Sequence, residues 1–227
     1  MKSLDQWLTE IGKENPGGWE GRLSTLKKVA VRLKLLPPAY TVIMVAGTNG
    51  KGSTSSLLEL TYRLAGYRTA LFTSPHLLKF NERIAIQGEI AADQEIVEAF
   101  ETINAVIGKE TLSYFEYSLL AALLIYRDIG LDVVILEVGL GGRLDAVNIV
   151  DPDLSIITTI DLDHTNILGC TRESIGLEKA GIFRPLIPAI CGDLDCPSTV
   201  VEYAQKLGAP LYCQGLDYAV EVHDNLS

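Results

Sequence analysis

The chain has 227 residues, 48% of them hydrophobic, which is enough for one large globular domain or one and a half small ones. Its formal net charge of −10 argues against nucleic acid and anionic membrane as partners, since both call for a basic surface. The polar, amphipathic start Met-Lys-Ser-Leu-Asp-Gln-Trp is not a signal peptide. The longest apolar run, Leu119 to Tyr126, falls far short of the ~20 residues that span a bilayer, so a cytoplasmic location is expected. The four cysteines, Cys170, Cys191, Cys196 and Cys213, form no C-x-x-C pair and have no histidine at zinc spacing. Reduced, buried thiols are expected.

In chain order, residues 3–13 predict a short helix with Leu4, Trp7, Leu8 and Ile11 on one face, broken by Asn15-Pro16-Gly17-Gly18. A second helix is expected from about Leu23 to Leu36, stopped by Pro37-Pro38, with Trp19, Glu20 and Arg22 in the loop between them. Val42 to Ala46 reads as a buried parallel strand. It runs into Gly47-Thr48-Asn49-Gly50-Lys51-Gly52-Ser53-Thr54 and then a helical pattern of Leu57, Leu58, Leu60, Thr61, Leu64 and Ala65. Strand, glycine loop, lysine, hydroxyl and helix is the layout of a phosphate-binding loop. Backbone N–H groups close around the phosphates, the helix start adds partial positive charge, and Lys51 adds a full one. The general pattern wants glycine where Val45 stands and a hydroxyl where Gly52 stands. An ordinary glycine-rich turn is the alternative.

Arg68 to Thr73 predicts a second strand, ending in Ser74-Pro75-His76-Leu77. This puts Ser74 at the carboxyl edge of the sheet, where ligands gather in doubly wound folds; a plain turn is the alternative. Residues 84–91 alternate around Gln87-Gly88 as a small hairpin, and Asp93 is expected to cap a helix to about Ile107. Tyr114-Phe115-Glu116-Tyr117 opens a helix that is apolar nearly all round through Ile125, and its aromatic start suits a core or a flat ligand equally. A third strand, Asp132 to Glu137, ends in a carboxylate beside the phosphate loop, the place for a hard-metal ligand. The glycine loop Gly139 to Asn148 carries Arg143 and Asp145, which could handle a charged substrate. The fourth strand, Leu154 to Ile160, leads to Asp161-Leu162-Asp163-His164-Thr165, where His164 is a structural hydrogen-bonder or a borderline ligand for Mg²⁺. Glu173 to Phe183 predicts a helix on which Lys179, taken alone, is a solvated surface lysine. A fifth strand (Pro188 to Cys191), a helix (Ser198 to Leu207) and short strands at Pro210–Tyr212 and Tyr218–Val222 complete the chain, without repeats or low-complexity linkers.

Strands alternating with helices give an α/β fold with a mostly parallel sheet flanked by helices, and its strand ends deliver Lys51, Ser53, Ser74, Glu137 and His164 to one edge. Five motifs then fall in one order: Gly47 to Ser53; Ser74-Pro75-His76-Leu77 with Asn81-Glu82-Arg83-Ile84; Gly139 to Asn148; Asp163-His164-Thr165; and Glu178-Lys179-Ala180-Gly181-Ile182. In these the chain resembles, over essentially its whole length, the Mur-ligase-like ATP-dependent amide ligases, specifically the folylpolyglutamate and dihydrofolate synthases. One departure is Glu20-Gly21-Arg22-Leu23, where that family usually has Asp-Leu-Gly-Leu.

The resemblance implies a P-loop NTPase-like Mur-ligase central domain over residues 1–227, incomplete at its C-terminal end, with the family's C-terminal ligase domain absent. It implies ATP and Mg²⁺ as cofactors. Gly47, Thr48, Asn49, Gly50, Lys51, Gly52, Ser53 and Thr54 would bind the nucleotide, and Ser74, Glu137 and His164 the metal. Lys51, His164 and a carbamylated Lys179 would be catalytic. Ser113, Tyr114, Phe115, Glu116, Leu144, Asp145 and Ala146 would line the pteroate site. The implied reaction joins L-glutamate to dihydropteroate, to the glutamate tail of folates, or to both, through an acyl phosphate, on a monomer with small-molecule partners only. The alternatives are a Mur-type ligase for another substrate, a P-loop kinase or GTPase, and a non-catalytic nucleotide-binding module. The absence of an Asn-Lys-x-Asp motif counts against a GTPase.

Overall fold

The computed structural model describes residues 2–13 and 22–220. The Asn15-Pro16-Gly17-Gly18 break, Trp19, Glu20 and the end of the expected last strand lie outside the described residues. Eight strands form one sheet: β1 (Thr41–Ala46), β2 (Thr69–Phe72), β3 (Ile84–Ile86), β4 (Glu89–Ile90), β5 (Val133–Glu137), β6 (Leu154–Ile157), β7 (Ala189–Cys191) and β8 (Leu211–Cys213). Their order is β4-β3-β2-β5-β1-β6-β7-β8. All neighbours from β2 to β8 pair in parallel, and only the β3–β4 hairpin and its junction with β2 are antiparallel.

The sequence of the central strands explains the parallel sheet. Val42, Met44 and Ala46 of β1 enter one core, with Val134 and Leu136 of β5. Ile43 and Val45 enter a second core on the other face, with Val133 and Ile135. Strands buried on both faces need crossover helices on both sides. The larger core is covered by α1 (Leu4–Ile11), α2 (Arg22–Arg32), α4 (Asp93–Ile107) and α5 (Tyr114–Arg127), with α7 (Arg172–Ala180) and α8 (Ser198–Leu207) further along. The smaller core is covered by α3 (Lys51–Leu64) through Leu58 and Tyr62. A short helix, α6 (Thr165–Leu168), precedes α7. Because β1 lies between β5 and β6, the chain crosses to both sides of it, and the crevice above its carboxyl end is the topological switch point where such folds bind ligands.

Local chemistry sets the element ends. Ser113 accepts from the Glu116 N–H while the Glu116 carboxylate accepts from the Ser113 N–H, a reciprocal cap that starts α5. Gln87 (φ 53°) and Gly88 (φ 79°) turn the β3–β4 hairpin as expected.

Several elements differ from the sequence expectations. α2 ends at Arg32 rather than Leu36, because Lys34 takes a left-handed conformation (φ 58°) ahead of the prolines. Asp93 is the first helical residue of α4 rather than its cap, and its carboxylate accepts from the Asn81 side chain. β6 stops at Ile157, three residues short of Ile160, because Thr158 and Thr159 turn away to hold the glycine loop. Tyr218 makes one isolated bridge to Gln214 and no strand. Most of the expected apolar positions of α3 do not face the sheet: Leu57, Leu60 and Leu64 are exposed, while Leu58 packs on it beside the buried Ser55 and Glu59. The Glu59 carboxylate is satisfied there by the Thr69 hydroxyl and the Arg63 guanidinium. Lys179 is only 2% exposed, not a surface lysine. Of the cysteines, all free, Cys191 and Cys213 are buried, Cys196 is half-buried and Cys170 is exposed. No helix among the described residues is long and apolar enough to cross a membrane.

Candidate active site

The loop after β1 is held from below by the chain leaving β6. The Thr48 N–H donates to Thr159 O (2.8 Å), the Asn49 N–H donates to the Thr159 hydroxyl, and the Thr158 hydroxyl donates to Asn49 O (2.6 Å). The contact is so close that a Cβ on Gly47 would lie 1.8 Å from the Thr158 hydroxyl, so only glycine fits. Gly50 is the N-cap residue of α3 and offers no side chain to the first N–H groups of the helix. Those donors remain directed at whatever sits in the loop. The Lys51 ammonium folds back onto the carbonyls of Gly47 (3.0 Å) and Thr48 (3.3 Å), an arrangement a polyphosphate would displace.

Glu137 ends β5 beside this loop and is 2% exposed. One of its oxygens accepts from the Thr73 hydroxyl and from the Ser74 N–H (3.3 Å). Burial raises its pKa, and these donors together with Lys51 only partly offset that effect. Gly52 keeps the carboxylate face clear: a Cβ there would stand 3.7 Å from both oxygens. A buried, under-compensated carboxylate with a hydroxyl beside it suits a hard divalent cation, whose other positions go to water and phosphate. Among the described residues no three His, Cys, Asp or Glu side chains cluster as a metal site. The expected set of Ser74, Glu137 and His164 has only two such groups and a hydroxyl. His164 is the N-cap residue of α6 in a left-handed conformation (φ 46°), with its ring half-exposed and 3.6 Å from Asp163.

A cavity of about 450 Å³ opens from this edge. Lys51, Ser74 and His164 line one end. Ser113, Phe115, Glu116, Leu144, Asp145 and Ala146 line the rest, together with Arg22 and Arg83. Phe115 packs on Phe72 and gives the cavity an aromatic wall. Glu116 pairs with Arg22 across that wall. Asp145 is buried, and burial pushes its carboxyl up to about 6 against three backbone donors, Leu140, Val147 and Gly139. Its acceptors thus hold the glycine loop in shape. Tyr114 does not line the cavity; it stands edge-on to Phe80 and against Arg83.

Lys179 lies behind the site. The loop after β5 packs directly on α7, where a Cβ on Gly142 would be 2.8 Å from the carbonyls of Glu178 and Lys179. Burial first, and the nearby Lys51 charge second, push the Lys179 ammonium down to about 8, with Asp163 opposing.

The structure therefore gathers Lys51 of the phosphate loop, Ser74, His164 and six of the seven expected pteroate-site residues around one cavity, while the rest of the loop does not line it. Glu137 and Lys179 sit behind its wall. Arg22 and Arg83 were not among the expected site residues. Arg83 falls within the Asn81-Glu82-Arg83-Ile84 motif and Arg22 within Glu20-Gly21-Arg22-Leu23, and the only signal for either was its charge in a chain of net charge −10.

Comparison with known proteins places the fold. Residues 45–217 match the Mur ligase middle domain. The dihydrofolate synthase/folylpolyglutamate synthase of Escherichia coli is 46% identical over 223 residues, covering 97% of this chain and 53% of that protein. That of Haemophilus influenzae is 45% identical over 218 residues, covering 96% and 50%. A solved structure of E. coli FolC in complex with DHPP and ADP superposes with a TM-score of 0.95 at 45% identity, over 98% of this chain and 54% of that one. A bifunctional folylpolyglutamate synthase/dihydrofolate synthase with Mn, AMPPNP and L-glutamate bound gives 0.91 at 46% identity, over 98% and 54%. The chain spans about half the length of the curated relatives it matches. With the sheet order, the phosphate loop and the family match in agreement, the chain belongs to the Mur ligase family.

Proposed function

We propose that residues 1–227 are the ATP- and pteroate-binding portion of a ligase that adds L-glutamate to dihydropteroate, to the glutamate tail of folates, or to both. The observation that carries this reading is the continuity of the cavity, which joins Lys51, Ser74 and His164 to the aromatic wall at Phe115 and Leu144. A phosphoryl donor at one end and a flat aryl carboxylate at the other would meet inside it. The complexes of the relatives with DHPP and ADP, and with AMPPNP, Mn and L-glutamate, support the same pairing of ligands.

In the proposed reaction the substrate carboxylate oxygen attacks the γ-phosphorus of ATP, the bond to the bridging oxygen breaks, and ADP leaves. The glutamate amine then attacks the acyl-phosphate carbon, the carbon–oxygen bond to phosphate breaks, and the amine loses its proton. Lys51 and the free N–H groups of the loop hold the phosphates and take up the charge that moves to the bridging oxygen. Ser74, Glu137 and His164 would hold Mg²⁺, which when bound neutralises the phosphate oxygens. Lys179 would act as a carbamate: its depressed pKa leaves a fraction of neutral amine at pH 7, which attacks CO₂ and releases a proton, turning a buried cation into an anion.

The test joins residues 1–227 to the C-terminal half of the E. coli relative. The fusion is expected to incorporate L-glutamate into dihydropteroate or folates with release of ADP and phosphate. Residues 1–227 alone are expected to bind nucleotide without ligating, because an acyl phosphate open to water hydrolyses. A fusion that binds ATP yet ligates glutamate to neither substrate would sink the folate reading in favour of another Mur-type substrate or a binding module.

A further inference from the structure

Arg83 presents a charge without a counter-ion among the described residues. It is 8% exposed, ends the short turn Phe80–Arg83, and lines the cavity. Its Nε–H donates to His76 Nδ1 (2.9 Å). None of its other four N–H groups has an acceptor among the described residues, and it joins none of their ion pairs. The guanidinium lies 5.5 Å from the Tyr114 ring centroid and 5.9 Å from that of Phe80. These aromatic contacts fix its plane but do not neutralise it. Every other arginine lining the cavity has a carboxylate: Arg22 has Glu116.

Placement adds to this. The Thr73 N–H donates to Arg83 O, so Arg83 stands opposite the residue that binds Glu137 and beside Ser74. The residue that carries the unpaired fork thus lines the cavity from the strand end next to the Glu137 and Ser74 edge. A buried guanidinium with free N–H groups is costly until an anion meets it, and its planar donors match a carboxylate.

We propose that Arg83 is the substrate-carboxylate residue of this cavity, using its free N–H groups to take the oxygen of the reacting carboxylate that does not attack phosphorus. The other oxygen is left free to attack. The proposal rests on the folate reading above and adds to it the group that aligns the nucleophile. It also gives His76 a positioning role, since its Nδ1 accepts from Nε and so occupies that donor, leaving the terminal nitrogens for a ligand.

The experiment compares a ligand pair that differs only in charge with a third that keeps the carboxylate and lacks the pterin. Pteroate, its carboxamide and 4-aminobenzoate are titrated into the wild-type chain, Arg83→Met and Arg83→Lys, with a melting curve for each variant. Wild type is expected to prefer pteroate over the carboxamide by about 30-fold or more, the size of a buried charge-assisted pair. Arg83→Met should bind the carboxamide within about twofold of wild type and lose the preference; Arg83→Lys, with the charge but not the fork, should fall between. An Arg83→Met protein that melts normally and keeps the preference overturns the proposal. So does Arg83→Lys equal to wild type together with an unaffected Arg83→Met. Arg83-dependent binding of 4-aminobenzoate by a protein that binds neither pterin would reject the folate reading and keep the carboxylate assignment. Should Arg83→Met not fold, Arg83→Gln replaces it in the same comparison.

Discussion

At the phosphate end of the cavity the polar groups come from one loop, Gly47 to Lys51, and from strand ends set in register by the sheet. At the aromatic end they come from the start of α2, the start of α5 and the loop before Ala146, segments far apart in the chain. Each end holds a buried carboxylate without a paired cation, Glu137 at one and Asp145 at the other (Glu116 has Arg22), and the two are finished differently. Glu137 has two donors, the Thr73 hydroxyl and the Ser74 N–H, both on one oxygen. Asp145 spreads three backbone donors over both oxygens. Burial raises both pKa values, but only Glu137 keeps an oxygen without a protein donor. The difference separates a carboxylate built to receive a cation from one built to brace a loop.

The sharpest way to break that contrast is to neutralise each acid without changing its shape. Glu137→Gln should cost the ligating fusion about 10³-fold in turnover, the scale of removing a charge-positioning group from a phosphoryl-transfer site. It should also abolish the Mg²⁺ dependence of nucleotide binding in residues 1–227 while leaving the thermal transition cooperative. Asp145→Asn should keep that Mg²⁺ dependence. Its effect should appear instead in the pH dependence of stability. The folded carboxyl titrates at about 6, against an ordinary value of 3.8, so the wild-type protein gains stability as pH falls from above 6 to below 3.8. That gain should be missing in Asp145→Asn. If Asp145→Asn loses the Mg²⁺ response and Glu137→Gln keeps it, the two assignments are reversed.

How much of each end was legible follows from the same difference. The phosphate end is written contiguously: a glycine loop between an apolar strand and a helix has a local physical meaning, and Glu137 could be placed from the strand that carries it. The aromatic end is assembled by tertiary packing. Phe115 and Tyr114 are adjacent in sequence, and nothing local says that one faces the cavity and the other faces Phe80. Arg22 and Arg83 acquire their roles only from which partners they find and lack. The exposed leucines of α3 mark a further limit. A helix-period pattern is present, but the sheet-facing side sets Ser55 and Glu59 beside Leu58 and Tyr62, and the partners of Glu59, Thr69 and Arg63, become visible only in three dimensions. Lys179 likewise looked like any surface lysine until the packing of the Gly142 loop on α7 buried it.

Lys179 sharpens the phosphate end from behind. Its folded pKa of about 8 lies below the ordinary 10.5, so in carbamate-free protein the buried cation destabilises the fold fully below pH 8. That penalty shrinks as pH rises from 8 toward 10.5, because there the unfolded chain holds the proton and the folded chain does not. Lys179→Met should therefore be more stable than wild type by about 3 kcal/mol at pH 7 in CO₂-free buffer, with the gap closing across that window. Added bicarbonate should stabilise wild type alone. Equal melting temperatures at pH 7 and no bicarbonate response would show that the lysine escapes to solvent and carries no carbamate.

The smallest effect expected marks the edge of the aromatic end. Tyr114 was expected to line the pteroate site, yet its ring stands T-shaped on Phe80 at 5.7 Å, outside the cavity wall. Its hydroxyl has no hydrogen-bond partner among the described residues; its electrostatic neighbour is Arg83, whose charge weakly offsets the burial that raises its pKa. Tyr114→Phe keeps the ring, the T-shaped pair and the face turned to the guanidinium. It should change stability by less than about 0.5 kcal/mol, the range of substitutions that break no buried contact. Pteroate binding should stay within about twofold of wild type, because the aromatic attraction for Arg83 depends on the ring rather than the hydroxyl. A tenfold loss of pteroate affinity in Tyr114→Phe, with normal melting, would put the hydroxyl in the site and move the boundary of the aromatic end outward by one residue.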